Sequence, residues 1–103
     1  LQQLKRNLGS MLELVARRGG RSLLLGVHLP PNYGPRYTEQ FHAIYHELAS
    51  ATGTALVPSL VDGIGTRSEL MQADGIHPNP DGVARIVDAL GPKVLALIAA
   101  TKD

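Results

Sequence analysis

A chain of 103 residues is long enough for one small domain with a modest core, and its 44% hydrophobic and 18% charged residues are typical of folded globular proteins. A formal net charge of +1, with three tyrosines and one phenylalanine, argues against a nucleic-acid partner. Because the sequence has no cysteine, it excludes disulfides, thiolate metal sites and a cysteine nucleophile.

An amphipathic helix and a buried strand are predicted at the start of the chain. Gly19-Gly20 should end the helix, and the run SLLLGVHL at 22–29 is typical of a strand buried on both faces of a parallel sheet. Because the sequence begins without Met inside this helix, we expect a piece of a longer polypeptide. The helix is indicated by apolar residues at helical spacing: Leu1, Leu4, Leu8, Met11, Leu12 and Val15.

A proline-rich segment separates that strand from a second helix. The stretch PPNYGPRY at 30–37 holds three prolines and a glycine and predicts an irregular, exposed loop. The second helix is predicted from about Thr38 to Thr52, with Thr38 as its N-cap and Gly53 as its C-cap. The run TALVPSL at 54–60 then predicts the next strand.

The last part of the chain predicts a long loop and a final helix. The loop spans 61–79, with one helical turn near Ser68–Gln72, and connections of this length are usually functional. Asn79 should cap the last helix with Pro80 at its first position, and Gly91-Pro92 should kink or restart it. Its buried face is predicted to be Val83, Ile86, Val87 and Leu90.

This alternation of helices and strands predicts an α/β fold with a parallel sheet and right-handed crossovers. Two strands do not make a stable sheet alone, so we expect an N-terminal portion to supply the others. Ligands of open α/β sheets bind at the carboxyl ends of the strands. Three features converge there: the loop at 28–37, the loop at 61–79, and the pair Asp74 and His77.

Asp74 and His77 are the candidate catalytic residues. A carboxylate three residues before a histidine can accept the Nδ1–H of the ring, which fixes the tautomer and stabilises the imidazolium. Pro78 disfavours helical geometry at His77, and Gly75 allows a tight bend. An acid near a helix start is often only a cap. The alternative is therefore a non-catalytic, flavodoxin-like α/β binding or assembly domain in which Asp74 and His77 only cap the last helix.

The other histidines are weaker candidates. His42 and His46 are four residues apart on the second predicted helix and could in principle bind Zn²⁺. No glutamate lies between His42 and His46, so the metalloprotease pattern fails and we expect a solvated surface instead. His28, at a strand end, is expected to be structural or to line a cleft. No metal site is predicted.

Two motifs resemble one family. The stretch LMQADGIHPNPDG resembles the last block of the SGNH (GDSL) hydrolases, whose hallmark there is Asp-x-x-His-Pro. The stretch LPPNYGPRYTEQFHAIYHELA resembles a loop and helix of the subgroup that contains thioesterase I/lysophospholipase L1 and the arylesterases. The resemblance covers about Leu1 to Leu97. It implies a three-layer α/β/α sandwich around a five-stranded parallel sheet, with 1–103 as the C-terminal segment of a single domain.

The resemblance also implies a serine ester or thioester hydrolase that works through an acyl-enzyme without metal or organic cofactor. Asp74 would orient the base and His77 would be the general base. Substrates would be acyl esters, aryl esters, thioesters or lysophospholipids. The substrate-binding candidates are Leu29, Pro30 and Tyr33, in the loop that would line the acyl- or aryl-binding cleft, and Ile76.

The nucleophile of that family is not recognisable here. Its serine lies in a Gly-Asp-Ser block, and its oxyanion hole uses a glycine and the asparagine of Gly-x-Asn-Asp. The sequence lacks these blocks, and its five serines have no such context: Ser10, Ser22, Ser50, Ser59 and Ser68. We therefore expect this segment to be inactive alone and to need the N-terminal half, as an uncut or a nicked chain.

Two expectations concern the surroundings of the protein. The longest apolar run, at 94–100, is far below the about 20 residues that span a bilayer, so no stable membrane insertion is predicted. The habit of the resembled family favours a periplasmic or secreted location.

Overall fold

Helices and short strands alternate in the computed structural model, which describes residues 1–100 with the exception of the Pro31 side chain. The elements are α1 (Gln2–Arg17), β1 (Leu23–Leu25), α2 (Pro35–Thr52), β2 (Ala55–Val57) and α3 (Pro80–Ala100), with 3₁₀ turns at Pro31–Tyr33 and Ser68–Leu70. The predicted α/β order is confirmed. The chain divides into a first unit, Leu1–Pro58, and a second unit, Ser59–Asp103.

The two strands pair in parallel, as predicted. Leu23 lies opposite Ala55 and Leu25 opposite Val57, and the N–H of Gly26 continues the ladder to the Val57 oxygen at 2.7 Å. Both strands are shorter than the predicted runs. Pro58 follows β2 directly and has no N–H to donate, so the ladder loses a donor at that point.

The first unit has its core between the helices and the sheet. α1 packs against α2, and α2 packs against β2. The core consists of the buried Leu12, Leu24, Ile44 and Leu48, with the partly buried Leu4, Leu8, Tyr45 and Leu56 packed against them.

The prediction that the first strand is buried on both faces is wrong for the described residues. Leu24 is buried on the core face, but Leu25 and Val27 remain 38% and 46% exposed. Side chains alternate along a strand, so Leu25 and Val27 lie on the face opposite to Leu24. A strand is buried on both faces only where layers cover both sides of its sheet.

The second helix begins earlier than the spacing predicted. α2 starts at Pro35, with Gly34 as its N-cap and the first helical bond from Thr38 N to Gly34 O at 3.1 Å. Thr38 is therefore inside the first turn and is not the cap. A proline is well suited to the first helical position because its φ is already helical and its missing N–H would have no partner there. The predicted C-cap, Gly53, is confirmed by its left-handed conformation.

The second unit is built around a small apolar cluster. Ile64, Leu70 and Met71 are buried, and Ile86 of α3 packs against them. The predicted buried face of α3 is only partly confirmed, since Val83 and Val87 are 48% and 59% exposed. A cluster of three buried side chains covers too little of the helix to bury the whole apolar stripe.

The last helix does not restart at its proline. α3 is continuous from Pro80 to Ala100 with Pro92 inside it. Pro92 cannot donate to the carbonyl four residues before it, which costs about 3 kcal/mol in a helix interior. The fixed φ of proline is nevertheless close to the helical value, and here the helix continues through the lost bond.

Within residues 1–100, no helix combines the length and the apolar character needed to cross a membrane.

Replacement of the buried Leu48 by alanine should lower the free energy of unfolding by about 2–5 kcal/mol, because it opens a cavity in the core of the first unit. Leu14→Ala is the matched control, since Leu14 is also helical but 58% exposed, and it should cost no more than about 0.5 kcal/mol. Urea unfolding followed by circular dichroism measures both. Equal losses in the two variants would contradict the assigned core.

Candidate active site

The predicted catalytic pair lies on a closed loop of the second unit. Met71 and Pro78 form an isolated antiparallel bridge, and the N–H of Gln72 donates to the His77 oxygen at 2.7 Å. At the tip, Gly75 has φ +69° and its N–H donates to the Gln72 oxygen at 3.0 Å. This left-handed conformation is the bend for which the sequence predicted a glycine.

Asp74 makes three hydrogen bonds within the loop, two of them with His77. Its Oδ1 accepts hydrogen bonds from the backbone N–H of Ile76 at 2.9 Å and of His77 at 3.0 Å. Its Oδ2 lies 2.7 Å from Nδ1 of the His77 ring. One carboxylate thus holds both the backbone and the ring of the histidine, and this is the contact that the spacing predicted.

The hydrogen bonds set the protonation state of Asp74. The His77 ring bond, followed by the backbone bonds from His77 and Ile76, lowers the pKa of the Asp74 carboxyl from 3.8 to about 2. An ionised carboxylate can only accept, so Nδ1 of His77 must carry the proton in this contact. The lone pair of the neutral ring is then on Nε2, as a general base requires.

The pair is open to solvent. The side chains of Asp74 and His77 are 41% and 68% exposed. A dissolved molecule can therefore reach the ring, and water weakens the attraction between the two charges when His77 is protonated.

The helix cap is a different residue. Oδ1 of Asn79 accepts the N–H of Gly82 at 2.9 Å, which is the N-cap bond of α3. Asp74 bonds only within its own loop among the hydrogen bonds found for it. The hypothesis that Asp74 caps the last helix is therefore wrong, and the predicted cap at Asn79 is confirmed.

The remaining predicted site residues lie in both units. In the first unit, Leu29 is half-buried and Pro30 is exposed, both just after β1. Tyr33 is exposed in the first 3₁₀ turn, and its ring stacks on that of Tyr37 with centroids 5.5 Å apart. In the second unit, Ile76 is 72% exposed and lies between Asp74 and His77 in the loop.

An open cavity of about 450 Å³ lies beside the loop that follows β1. It is lined by His28, Leu29, Gly34, Pro35, Thr38 and Glu39. The expectation that His28 lines a cleft agrees with this position. Thr38 and Glu39 were not among the predicted site residues, because they were interpreted only as the start of the second helix.

The two helical histidines differ from each other. His46 is exposed, as expected. His42 is half-buried, with Nε2 3.3 Å from the Val27 oxygen and its ring 6.1 Å from that of His28, so the prediction of a solvated surface is wrong for it. The segment that follows β1 contacts that side of α2 through Val27 and His28, which periodicity alone does not reveal. Among residues 1–100, no group of three or more His, Asp and Glu side chains could hold a metal ion.

The serines stand in varied settings. Ser10 lies in α1 and Ser50 in α2, as predicted. Ser22 and Ser59 fall outside the strands in which they were predicted, because both strands are short. Ser68 is the first residue of the second 3₁₀ turn, and the N-cap of that turn is Arg67.

The chain is similar in sequence to three enzymes. It is 44% identical over 96 residues to Esterase TesA of Pseudomonas aeruginosa, covering 93% of this chain and 48% of that protein. It is 36% identical over 97 residues to thioesterase 1/protease 1/lysophospholipase L1 of Escherichia coli, covering 94% and 47%. It is 32% identical over 89 residues to an arylesterase of Vibrio mimicus, covering 86% and 44%. The chain thus spans about half the length of the curated relatives it matches, and no family model matches it.

Solved structures of two esterases superpose on this chain. A crystal structure of TesA superposes with a TM-score of 0.84 at 44% identity, over 93% of this chain and 53% of that one. AlinE4, an SGNH-hydrolase family esterase, superposes with a TM-score of 0.66 at 35% identity, over 92% and 50%.

The low pKa of Asp74 leads to a test of the pair. In His77→Ala the largest cause of the shift is removed, so the Asp74 pKa should rise from about 2 toward 3.8. The carboxylate stabilises the fold fully above its unfolded value, and this contribution is lost as the pH falls toward 2. The variant should therefore lose less stability on acidification.

Carboxyl ¹³C chemical shifts followed through an acid titration measure this change directly. His46→Ala, at an exposed histidine of α2, should leave the Asp74 titration where it is. An unchanged Asp74 pKa in His77→Ala would show that the ring contact has no part in the shift.

Proposed function

Because this chain is a C-terminal portion of an SGNH hydrolase, we propose that it supplies the Asp–His part of the Ser–His–Asp triad of an ester or thioester hydrolase. The observation that carries the proposal is the 2.7 Å contact between Asp74 Oδ2 and His77 Nδ1. The two side chains are exposed to solvent, and the loop that carries them has its ends joined by backbone pairing. Asp74 is the orienting residue and His77 the general base.

The chemistry follows from the protonation states. Nε2 of His77 takes the proton of a serine hydroxyl as its oxygen attacks the substrate carbonyl, and the ionised Asp74 stabilises the imidazolium. The imidazolium then gives that proton to the leaving alcohol or thiol, which leaves an acyl-enzyme. His77 next takes a proton from water, whose oxygen attacks the acyl group, and returns it to the serine as the acid is released.

The nucleophile comes from a second segment in this proposal. The serines of residues 1–103 lack the family's Gly-Asp-Ser context. Exposed apolar side chains suit burial against such a segment. They include Leu25 in β1, Val27 just after it, and Val83 and Val87 in α3. The partner is the N-terminal half of the same polypeptide, in an intact or a nicked chain.

Substrate binding is proposed for the four apolar and aromatic residues named by the resemblance. Leu29, Pro30 and Tyr33 follow β1, and Ile76 lies inside the catalytic loop. Their side chains are largely apolar, and Pro30, Tyr33 and Ile76 are exposed, as contact with an acyl or aryl group requires. The substrate class is an acyl ester, aryl ester or thioester.

The competing hypothesis is a non-catalytic binding or assembly domain. It required Asp74 and His77 to serve as the cap of the last helix, and Asn79 makes that cap. The contact of the His77 ring with Asp74 supports the catalytic proposal.

Loss of the proposed base should abolish hydrolysis. In the polypeptide that joins these residues to the nucleophile-bearing segment, His77→Ala should lower kcat for a p-nitrophenyl acyl ester by about 10⁴-fold or more. Release of p-nitrophenolate measures the rate. His46→Ala, which removes an exposed histidine of α2, should keep the original rate.

A fluorophosphonate probe extends this test to the nucleophile. The probe should label a serine outside residues 1–103, and labelling should slow in His77→Ala but not in His46→Ala. Near-normal turnover in a folded His77→Ala protein, or a probe adduct on one of the serines of this chain, would overturn the proposal.

The proposed role of Tyr33 in substrate binding can be tested separately. Tyr33→Ala removes an exposed, stacked ring, so KM for an aryl ester should rise about tenfold while kcat falls less, because the lost contact is made in both the ground state and the transition state. Tyr33→Phe retains the ring and should behave like the original protein. Steady-state kinetics with KM unchanged in Tyr33→Ala would remove Tyr33 from the binding site.

A further inference from the structure

We infer that Asn79 is a positioning residue for the base, because it holds together the two ends of the loop that carries Asp74 and His77. The inference rests on the proposed function. Asn79 was predicted only as a helix cap, and its contacts reach well beyond α3.

Asn79 uses its backbone and both ends of its side-chain amide. Its N–H donates to the Leu70 oxygen at 2.9 Å. Its Nδ2 donates to the Glu69 oxygen at 2.8 Å and lies 3.4 Å from the Met71 oxygen. Its Oδ1 accepts the N–H of Gly82 at 2.9 Å. One half-buried residue thus joins the chain entering the loop to the chain leaving it.

Only Pro78 separates this junction from His77. The φ of proline is fixed, which restricts how the chain can turn between Asn79 and His77. The bridge between Met71 and Pro78 closes the loop next to the junction, together with the hydrogen bond from the Gln72 N–H to the His77 oxygen. The direction of the His77 ring therefore depends on the orientation of Asn79.

The backbones at the junction are in very close contact. A Cβ built on Gly82 would lie 2.2 Å from the Leu70 oxygen and 3.0 Å from Cβ of Pro78. The start of α3 therefore packs directly on the residues that enter the loop. The amide of Asn79 spans this contact, so a small change there is transmitted to the loop.

The chemistry of the amide separates positioning from capping. Asn, Asp and Ser are nearly equivalent as N-caps because each offers an oxygen to the helix N–H groups. The amide of Asn79 also donates to the carbonyl oxygens of Glu69 and Met71, which an ionised aspartate could not do. In Asn79→Asp the acceptor for Gly82 remains, whereas a carboxylate oxygen faces those two carbonyls.

The experiment compares Asn79→Asp and Asn79→Ala in the polypeptide that includes the nucleophile-bearing segment. Both should lower kcat for a p-nitrophenyl ester by about tenfold or more with KM changed less than about twofold, since small misplacements of a catalytic group are costly. Asn79→Asp also tests the role in a protein that retains its helix cap.

A second readout does not depend on activity. The proton NMR signal of the Nδ1–H bonded to Asp74 reports how well the His77 ring is held, and it should broaden or disappear in both variants. Ile86→Val is the matched control. It trims a side chain packed on the Ile64, Leu70 and Met71 cluster, and it should keep both kcat and the signal.

Two outcomes would overturn the inference. Full kcat and an unchanged Nδ1–H signal in Asn79→Asp would reduce Asn79 to a cap. An equal loss of kcat and signal in Ile86→Val would mean that any destabilisation of the second unit disturbs the loop. Failure of the proposed function is distinct from both outcomes, since it would appear as an active His77→Ala protein. In that case the Nδ1–H signal of the Asn79 variants would still test whether Asn79 positions the His77 ring.

Discussion

Closure of the loop between Met71 and Asn79 is the constraint on which the candidate site depends. Asp74 and His77 are only three residues apart, but in an open chain they would meet in many orientations. The bridge from Met71 to Pro78 and the left-handed Gly75 leave the carboxylate room to bind the backbone and the ring of His77 together. The entropy of ordering the pair is then a cost of folding, so the proposed reaction would require no further ordering of the pair.

The same closure explains the electrostatics of an exposed site. A solvent-exposed carboxylate ordinarily interacts weakly with its neighbours because water screens the charge. The Asp74 carboxyl has its pKa lowered to about 2 by three short hydrogen bonds from within its own loop. Hydrogen bonds to the charged form, more than burial, therefore keep Asp74 ionised and set the tautomer of His77.

Much of the fold and part of the site could be predicted from local patterns. The order of helices and strands, the cap at Asn79 and the bend at Gly75 depend on residues that are close in sequence. The early start of α2 was also encoded by Gly34 and Pro35, but the proline-rich stretch 30–37 was interpreted as a loop throughout. The half-burial of His42 was not predictable, because it arises where the segment after β1 lies beside α2.

By itself, the sequence determined the α/β order and the pairing of Asp74 with His77, since each depends on short-range spacing. The strand–helix–strand order then indicated a parallel pair of strands. Only the tertiary structure decided which apolar side chains are covered. It left Val83 and Val87 open although their spacing resembles that of buried positions, because burial depends on what packs against a face. It also decided that Asn79 ties Glu69 to α3, since a bond across ten residues requires the chain to return to itself.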